Sequence, residues 1–208
     1  TRTTDGVDDA LRRISLGLLI HDIGHGDHDE DVWLEDGEIV EADASLLRPH
    51  VEKAHQALPH SLISAHAAAV VRDHHERWSG EGPSGLEGDR IPQFARIAAV
   101  ADVFDELTSD KPGRPGLPAH QAVAAICREA GRKFDPEVVD IFRRVIAPFP
   151  VGSEVRLGDG FEGVVSGVPH DTPHRPNVRL LRDPHGKRIS PVEVSTYRET
   201  GLGIQLAA

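Results

Sequence analysis

The sequence predicts a mainly α-helical domain followed by a small β extension. Up to about residue 150, apolar residues recur at helical spacing in six successive segments. After Pro148 the pattern changes to short alternating segments separated by turns rich in glycine and aspartate, which is typical of hairpins. We therefore expect a helical domain at 1–150 and a small β-hairpin extension at 151–208.

Six helices follow one another in the first part of the chain. In order, they are predicted over DDALRRISLGLLIHDIG, ASLLRPHVEKAHQAL, HSLISAHAAAVVRDHHERW, IPQFARIAAVADVFDELTS, PAHQAVAAICREAG and DPEVVDIFRRVI. Pro49 should bend the second helix, whereas Pro92 lies near the start of the fourth, where proline is tolerated. Asp135 is the expected N-cap of the sixth helix, with Pro136 in its first turn. An acidic loop with a turn at Asp36-Gly37 separates the first two helices.

Two hairpins are predicted in the β extension. SEVRL and FEGVV flank a glycine-rich turn at 158–160, and NVRLLR and RISPVEVS flank a second turn at 183–186. An isolated hairpin is only marginally stable in water. Apolar strand residues should therefore pack on each other or on the helical domain; the four expected to do so are Val155, Leu157, Val164 and Leu180.

Composition and charge exclude several classes of function. The 208 residues are enough to bury a core, and their formal net charge of -11 argues against binding to polymeric nucleic acid. A small phosphorylated ligand remains compatible, because metal ions can supply local positive charge. No stretch approaches the ~20 apolar residues needed to span a bilayer, and no signal segment opens the chain. The single cysteine, Cys127, allows no internal disulfide and fits a reducing compartment, so we expect a cytoplasmic protein.

Histidine and aspartate are clustered in segments that successive helices could bring together. Imidazole nitrogen and carboxylate oxygen together suit Fe, Mn or Zn. A lone aspartate in an apolar helix should be paired or should ligate a metal, because burying it otherwise is costly. The candidates are His21-Asp22, His50, His74-His75, Asp102 and His25.

Each candidate also has an interpretation that involves no metal. His50 could be a surface or core histidine, and Asp102 could pair with Arg96 or Arg72. The pair His74-His75 could lie on the surface beside its charged neighbours. None of these interpretations explains all the candidates together, and a shared metal site does.

The motifs resemble those of the HD-GYP family, a branch of the HD phosphohydrolases that hydrolyses cyclic di-GMP. The resemblance rests on LLIHDIGH, on HAAAVVRDHHERWSGEGPSGLEGDRIPQFARIAAVADVFDELTSDKPGR and on EAGRKFDPEVV. The tail, with PVGSEVRLGDGFEGVV and RPNVRLL, is similar to the β extension of many members. The resemblance implies an HD-domain helical bundle and two or three divalent metal ions, most often Fe or Mn. The ligands of a third ion come from an upstream helix, and no Glu or His precedes His21 here, so we expect two ions. The resemblance also implies that Asp22 bridges the two ions and that the ligand set is His21, Asp22, His50, His74, His75 and Asp102.

Three positions depart from the family pattern. His25 stands where the family's HDxGK motif has lysine, and GPSGL at 82–86 replaces the GYP signature and its tyrosine. The RPYR segment reads KPGR at 111–114, which loses a second aromatic residue but keeps Lys111 and Arg114 to hold phosphate oxygens. Aromatic residues near such a site could stack guanine, so their loss points away from strong selection for one dinucleotide.

The expected function is two-metal hydrolysis of a cyclic dinucleotide phosphodiester. The residues expected to take part in catalysis are Asp22, His25, Lys111 and Arg114, with His25 donating a proton to the leaving oxygen or holding a phosphate. Two alternatives stay open: an HD hydrolase for another nucleotide, and a degenerate domain that binds nucleotide and signals without catalysis. The expected partners are a small nucleotide, an upstream sensory or regulatory domain and a second copy of the chain in a homodimer.

Overall fold

The computed structural model describes residues 2–22, 32–41, 44–57, 63–196 and 204–205. Within these ranges the chain forms six α-helices: α1 Arg2–Ile20, α2 Ala44–Ala57, α3 Ala65–Asp73, α4 Gln93–Thr108, α5 Ala119–Arg128 and α6 Pro136–Val145. The seven strands are β1 Trp33–Glu35, β2 Glu38–Val40, β3 Glu154–Leu157, β4 Glu162–Gly167, β5 Asn177–Arg182, β6 Arg188–Ser195 and β7 Ile204–Gln205, with a short 3₁₀ helix at Gly88–Arg90. None of the described helices has the length and apolar character needed to cross a bilayer.

The predicted helices are present, but the third is much shorter than expected. Ser64 caps its N-terminus, where the Ser64 hydroxyl oxygen accepts the backbone N–H of Ala67 at 3.1 Å. The helix ends at Asp73, and His74 is its C-cap. The predicted continuation through His75 to Trp78 is therefore wrong, and the chain turns at the histidine pair instead.

The start of the sixth helix is as predicted. Asp135 is almost fully buried, and one oxygen of its carboxylate accepts the backbone N–H of Glu137 at 2.8 Å.

The acidic loop between the first two helices contains a hairpin that was not predicted from the sequence. Residues on either side of the Asp36-Gly37 turn pair as the antiparallel strands β1 and β2.

The chain divides into two compact units. One comprises residues 1–117 and 124–140, and the other comprises residues 118–123 and 141–208. The first unit is mainly helical and contains the β1–β2 hairpin, and the second contains a five-stranded sheet. A mainly helical region followed by β structure agrees with the predicted fold class.

Small residues let the helices of the first unit approach closely. Ala67, Val70 and Val71 of α3 are fully buried, as are Ala95 and Ala98 of α4. At Gly17 of α1, an added Cβ would lie only 2.8 Å from Cβ of Val70. Because that separation is below van der Waals contact, α1 can lie this close to α3 only with glycine at position 17.

We predict that Gly17→Ala destabilises the protein, although alanine favours a helix over glycine by ~1 kcal/mol. The new methyl group has to displace Val70, and overpacking of this kind costs about 1–3 kcal/mol. Urea unfolding of the variant measures the change. Alanine at position 70 would keep the clashing Cβ, so the partner variant is Val70→Gly; adding Gly17→Ala to Val70→Gly should cost less stability than adding it to the parent. A loss that simply adds in the double variant would contradict the close contact.

The second unit is built on one antiparallel sheet with strand order β6-β5-β4-β3-β7. Both predicted hairpins are present, and pairing of β4 with β5 joins them. Strand β7, which the sequence analysis did not predict, pairs with β3 at the sheet edge. The sheet buries one apolar cluster, made up of Val155, Leu157, Val165, Val178 and Leu180.

Three of the four predicted packing residues of the β extension lie in this cluster, and Val164 does not. In β4, Gly163 and Val165 are buried, whereas Val164 is only partly buried and pairs with the exposed Glu154. Side chains alternate between the two faces of a strand, so a shift of one residue in register would exchange the buried and partly buried positions of Val165 and Val164. Register shifts on both sides of this segment, at Glu162/Gly163 and Val165/Gly167, set that register.

Candidate metal centre

Two histidines of the first unit are held in a defined orientation by helix carbonyl groups. His21 directly follows α1, and its Nδ1 lies 2.5 Å from the carbonyl oxygen of Leu18. His74 caps α3, and its Nδ1 lies 3.0 Å from the carbonyl oxygen of Val70. Since a carbonyl oxygen only accepts, each Nδ1 carries the proton and donates it. Each ring then offers Nε2, an arrangement typical of histidines that ligate metals.

Asp102 of α4 meets these two histidines. Its Oδ1 lies 3.1 Å from Nε2 of His21, and its side chain is 15% exposed. His21, His74 and Asp102 each offer one ligand atom, and these three atoms lie within 4.8 Å of one another. Two imidazoles and a carboxylate from three separate segments form a donor set that fits a divalent metal ion.

The alternative arginine partners of Asp102 are engaged elsewhere. Arg96 donates to Asp135 at 2.6 Å and to the exposed Asp89 at 3.1 Å. Arg72 pairs with its neighbour Asp73 at 2.6 Å. The hydrogen-bond partner that the structure gives Asp102 is thus a histidine of the cluster.

Asp22 lies at the exposed edge of the cluster. Its Oδ2 is 3.0 Å from Nε2 of His21, and its Oδ1 is 4.0 Å from Nε2 of His74. The side chain of Asp22 is 45% exposed, whereas that of His74 is fully buried. The two oxygens of Asp22 therefore approach both histidines from the solvent side.

The structure describes the remaining predicted ligands only in part. His75 is 9% exposed, and its ring centroid lies 3.9 Å from that of His74. His50 lies in α2, but its side chain is outside the described part of the chain, and His25 lies wholly outside it.

The two clustered histidines have opposite pKa shifts. Burial opposes the charged form of His21, but hydrogen bonds and charge from Asp102 and Asp22 outweigh it and raise the pKa of His21 to about 10. Burial lowers the pKa of His74 to about 4, since the nearby carboxylates compensate only in part. At neutral pH without metal, His21 is thus cationic and His74 is neutral.

We predict that metal binding to this centre releases a proton. A ligating Nε2 must be unprotonated, so a metal ion has to displace the proton of His21. Below a pH of about 10 the free protein holds that proton, so around neutral pH the apparent metal affinity should rise about tenfold per pH unit. Titration calorimetry with Mn²⁺ in buffers of different ionisation enthalpy counts the protons. Binding without proton release at pH 7.5 would contradict the assignment of His21 as a ligand.

Lys111 and Arg114 lie at the two ends of a tight turn. The backbone N–H of each donates to the carbonyl of the other, at 2.8 and 3.0 Å. The ammonium group of Lys111 lies 2.8 Å from the carboxylate of Glu106. Nη1 of Arg114 donates to the carbonyl oxygen of Val32 at 2.6 Å. Both cations therefore already contact oxygen acceptors of the protein.

Glu76, which the sequence analysis treated only as a charged neighbour of the histidines, organises the loop that follows them. Its side chain is 2% exposed, and its carboxylate accepts the backbone N–H groups of Ser84 at 2.6 Å and Leu86 at 2.9 Å. Gly82 lies so close that an added Cβ would be 2.6 Å from Cα of Glu76. This loop is the segment that departs from the GYP signature.

A family model for the HD domain matches residues 2–138. The chain belongs to the HD domain family. The match covers the elements that supply His21, Asp22, His74 and Asp102. The HD dyad predicted at His21-Asp22 thus lies within a recognised HD domain.

The proteins to which this chain is similar confirm its resemblance to the HD-GYP family. A cyclic di-GMP phosphodiesterase of Pseudomonas aeruginosa is 36% identical over 76% of this chain and 38% of its own length. The cyclic di-GMP phosphodiesterase response regulator RpfG of Xanthomonas campestris is 36% identical over 66% of this chain and 37% of its own length. A 3'3'-cGAMP-specific phosphodiesterase of Vibrio cholerae is 30% identical over 59% of this chain and 24% of its own length. The HD domain chain thus spans less than two fifths of each of these relatives.

Proposed function

We propose that this HD domain chain hydrolyses a phosphodiester bond of a cyclic dinucleotide with two divalent metal ions, Fe or Mn. The observation that carries the proposal is the convergence of His21, His74 and Asp102 within 4.8 Å, with Asp22 beside them. The names of the relatives, which include enzymes for cyclic di-GMP and for cGAMP, support the class of substrate.

The proposed ligand set for the two ions is His21, Asp22, His50, His74, His75 and Asp102. Its support is the fixed orientation of the His21 and His74 rings and the position of Asp22 between their Nε2 atoms and solvent. When bound, the ions would activate the attacking water and neutralise charge on the phosphate. Asp22 is assigned the bridging position because its two oxygens face different histidines.

The remaining catalytic groups are assigned to binding and proton transfer. Lys111 is 32% exposed and would exchange the carboxylate of Glu106 for a phosphate oxygen. Arg114, on the same turn, would orient a second phosphate oxygen. His25 would donate a proton to the leaving ribose oxygen. The proposal also includes an HD-type helical bundle over 1–150 and the separate β extension over 151–208.

A hydrolysis assay with four substrates tests the proposed function. The Mn²⁺-loaded or Fe²⁺-loaded protein is incubated with cyclic di-GMP, 3'3'-cGAMP, a linear dinucleotide and an aryl phosphodiester. We expect a cyclic dinucleotide to be opened to its linear product. Cleavage restricted to the linear or the aryl substrate would indicate an HD hydrolase for another nucleotide.

A non-catalytic signalling domain is the second candidate function. The absence of the GYP tyrosine at 82–86 favours it, because that loop then offers no aromatic ring to stack a base. Binding of a cyclic dinucleotide without turnover in the same assay, at full metal occupancy, would establish this function and refute the hydrolase.

A further inference from the structure

Arg77, two residues after the histidine pair, is a buried cation with an unusually complete set of partners. Its side chain is 6% exposed. Nη1 of Arg77 donates to two backbone carbonyls, those of His74 and Glu76, each at 3.0 Å. Nε and Nη2 donate to the carboxylate of Glu41, at 3.1 and 2.7 Å. One edge of the guanidinium group thus contacts the backbone of the histidine turn, and another edge contacts a distant carboxylate.

Glu41 is the other half of this pair and lies in a different part of the first unit. It follows β2 and precedes α2, the helix that contains His50. Its side chain is 11% exposed, and it also contacts the ammonium group of Lys133 at 2.8 Å. The Glu41–Arg77 contact therefore connects the turn at His74 with the end of the β1–β2 hairpin.

We propose that the Glu41–Arg77 pair positions the metal centre by fixing the backbone of the turn at His74 and His75 against Glu41, at the end of the β1–β2 hairpin. This inference rests on the proposed function, in which His74 and His75 are ligands. Neither residue is a ligand in the proposal, and neither contacts substrate. Their effect is transmitted through the carbonyl group of His74, whose ring belongs to the ligand cluster.

The chemistry of the pair explains why a conservative replacement cannot substitute for it. Arginine presents donors on several sides of a rigid plane, so one residue can hold two carbonyls and a carboxylate at once. The ammonium group of lysine is a point charge that cannot reach both sides in this way. Removing one member of a buried pair also leaves the other charge uncompensated. Either change should therefore release the histidine turn.

Metal affinity separates positioning from general stability. We would measure the Mn²⁺ dissociation constant by calorimetry, at a temperature where every protein is folded, for the parent and for Arg77→Lys and Glu41→Gln. Loss of groups that orient metal ligands typically weakens metal binding by about 10–100-fold. We expect a loss in that range for both variants, and a combined variant should lose little more than either one alone.

Two control variants change other buried charge contacts but leave the Glu41–Arg77 pair and its bonds to the histidine turn in place. Lys133→Gln removes the second cation on Glu41 but leaves Arg77 in place. Glu129→Gln makes the same chemical change as Glu41→Gln in another buried carboxylate, which pairs with Arg132 at 2.8 Å. Both controls should bind Mn²⁺ like the parent. An equal loss of affinity in the controls, or unchanged affinity in Arg77→Lys and Glu41→Gln, would overturn the inference.

Amide hydrogen exchange of the metal-free proteins gives a readout that does not depend on metal. In Glu41→Gln and Arg77→Lys we expect faster exchange in residues 70–78 and in the β1–β2 hairpin, and no such change in Glu129→Gln. Unchanged local exchange would overturn the positioning role even if the parent bound no metal. Failure of the parent to bind Mn²⁺ with local exchange altered as expected would instead refute the proposed function.

Discussion

Replacement of Asp22 by alanine is expected to abolish both metal binding and hydrolysis. Its two carboxylate oxygens lie 3.0 Å from Nε2 of His21 and 4.0 Å from Nε2 of His74, and the proposed function assigns them to hold the two ions. In that proposal, alanine would leave the charge of two neighbouring cations poorly compensated. Metal ions contribute several kcal/mol to stabilising such transition states, which corresponds to a loss of roughly 10³-fold or more in rate.

The matched control for Asp22→Ala is Asp105→Ala. Asp105 is an exposed carboxylate of α4 that contacts Ser109 and lies outside the cluster. Elemental analysis and the hydrolysis assay should both show parental values for this control. Full metal occupancy in Asp22→Ala would refute the bridging role, whatever happened to the rate.

The second large effect is a loss of stability in acid that depends on Glu41. Burial opposes ionisation of this carboxylate, but charges and hydrogen bonds from Arg77 and Lys133 outweigh it and lower the pKa of Glu41 from 4.5 to about 2. Above pH 4.5 the group is ionised in both the folded and the unfolded protein, and its stabilisation is complete. As the pH falls from 4.5 to 2, the unfolded state binds the proton first, and about 3 kcal/mol of stability is lost.

Urea denaturation of the metal-free protein at pH 5 and at pH 3 measures this loss. Metal-free protein is required because acid also protonates ligand histidines and releases metal. Glu41→Gln should be less stable than the parent at pH 5, and its free energy of unfolding should change less between the two pH values. If the parent and the variant lost stability in parallel, the acid sensitivity would have to come from other carboxylates.

Much of the candidate site was accessible from sequence because its residue types are unusual in their settings. Asp102 stands in an apolar helix, and the dyad at His21-Asp22 ends another. Such groups need partners when buried, and the structure places His21, Asp22, His74 and Asp102 together. The cluster was therefore predictable from the sequence without knowledge of how the helices are arranged.

The supporting residues were not accessible in the same way. Glu76 and Arg77 follow the histidine pair in a run of polar residues, which is typical of a solvated surface. Both are buried, because Arg77 meets Glu41, 36 positions away in the chain, and Glu76 meets backbone amides of the following loop. No local pattern reports partners at such separations. The early end of α3, which places His74 and His75 in a turn, lies directly before these two residues and was not predicted either.

The loop at 82–86 has a consequence for how this HD domain can diversify. Its backbone is held from beneath by the carboxylate of Glu76, and Ser84 itself is exposed. The shape of the loop is therefore encoded separately from the side chain that it displays. A mutation at Ser84, including one to tyrosine, would change the side chain that the loop displays at little risk to folding. Under the proposed function, base preference could then change over generations while the fold is inherited intact.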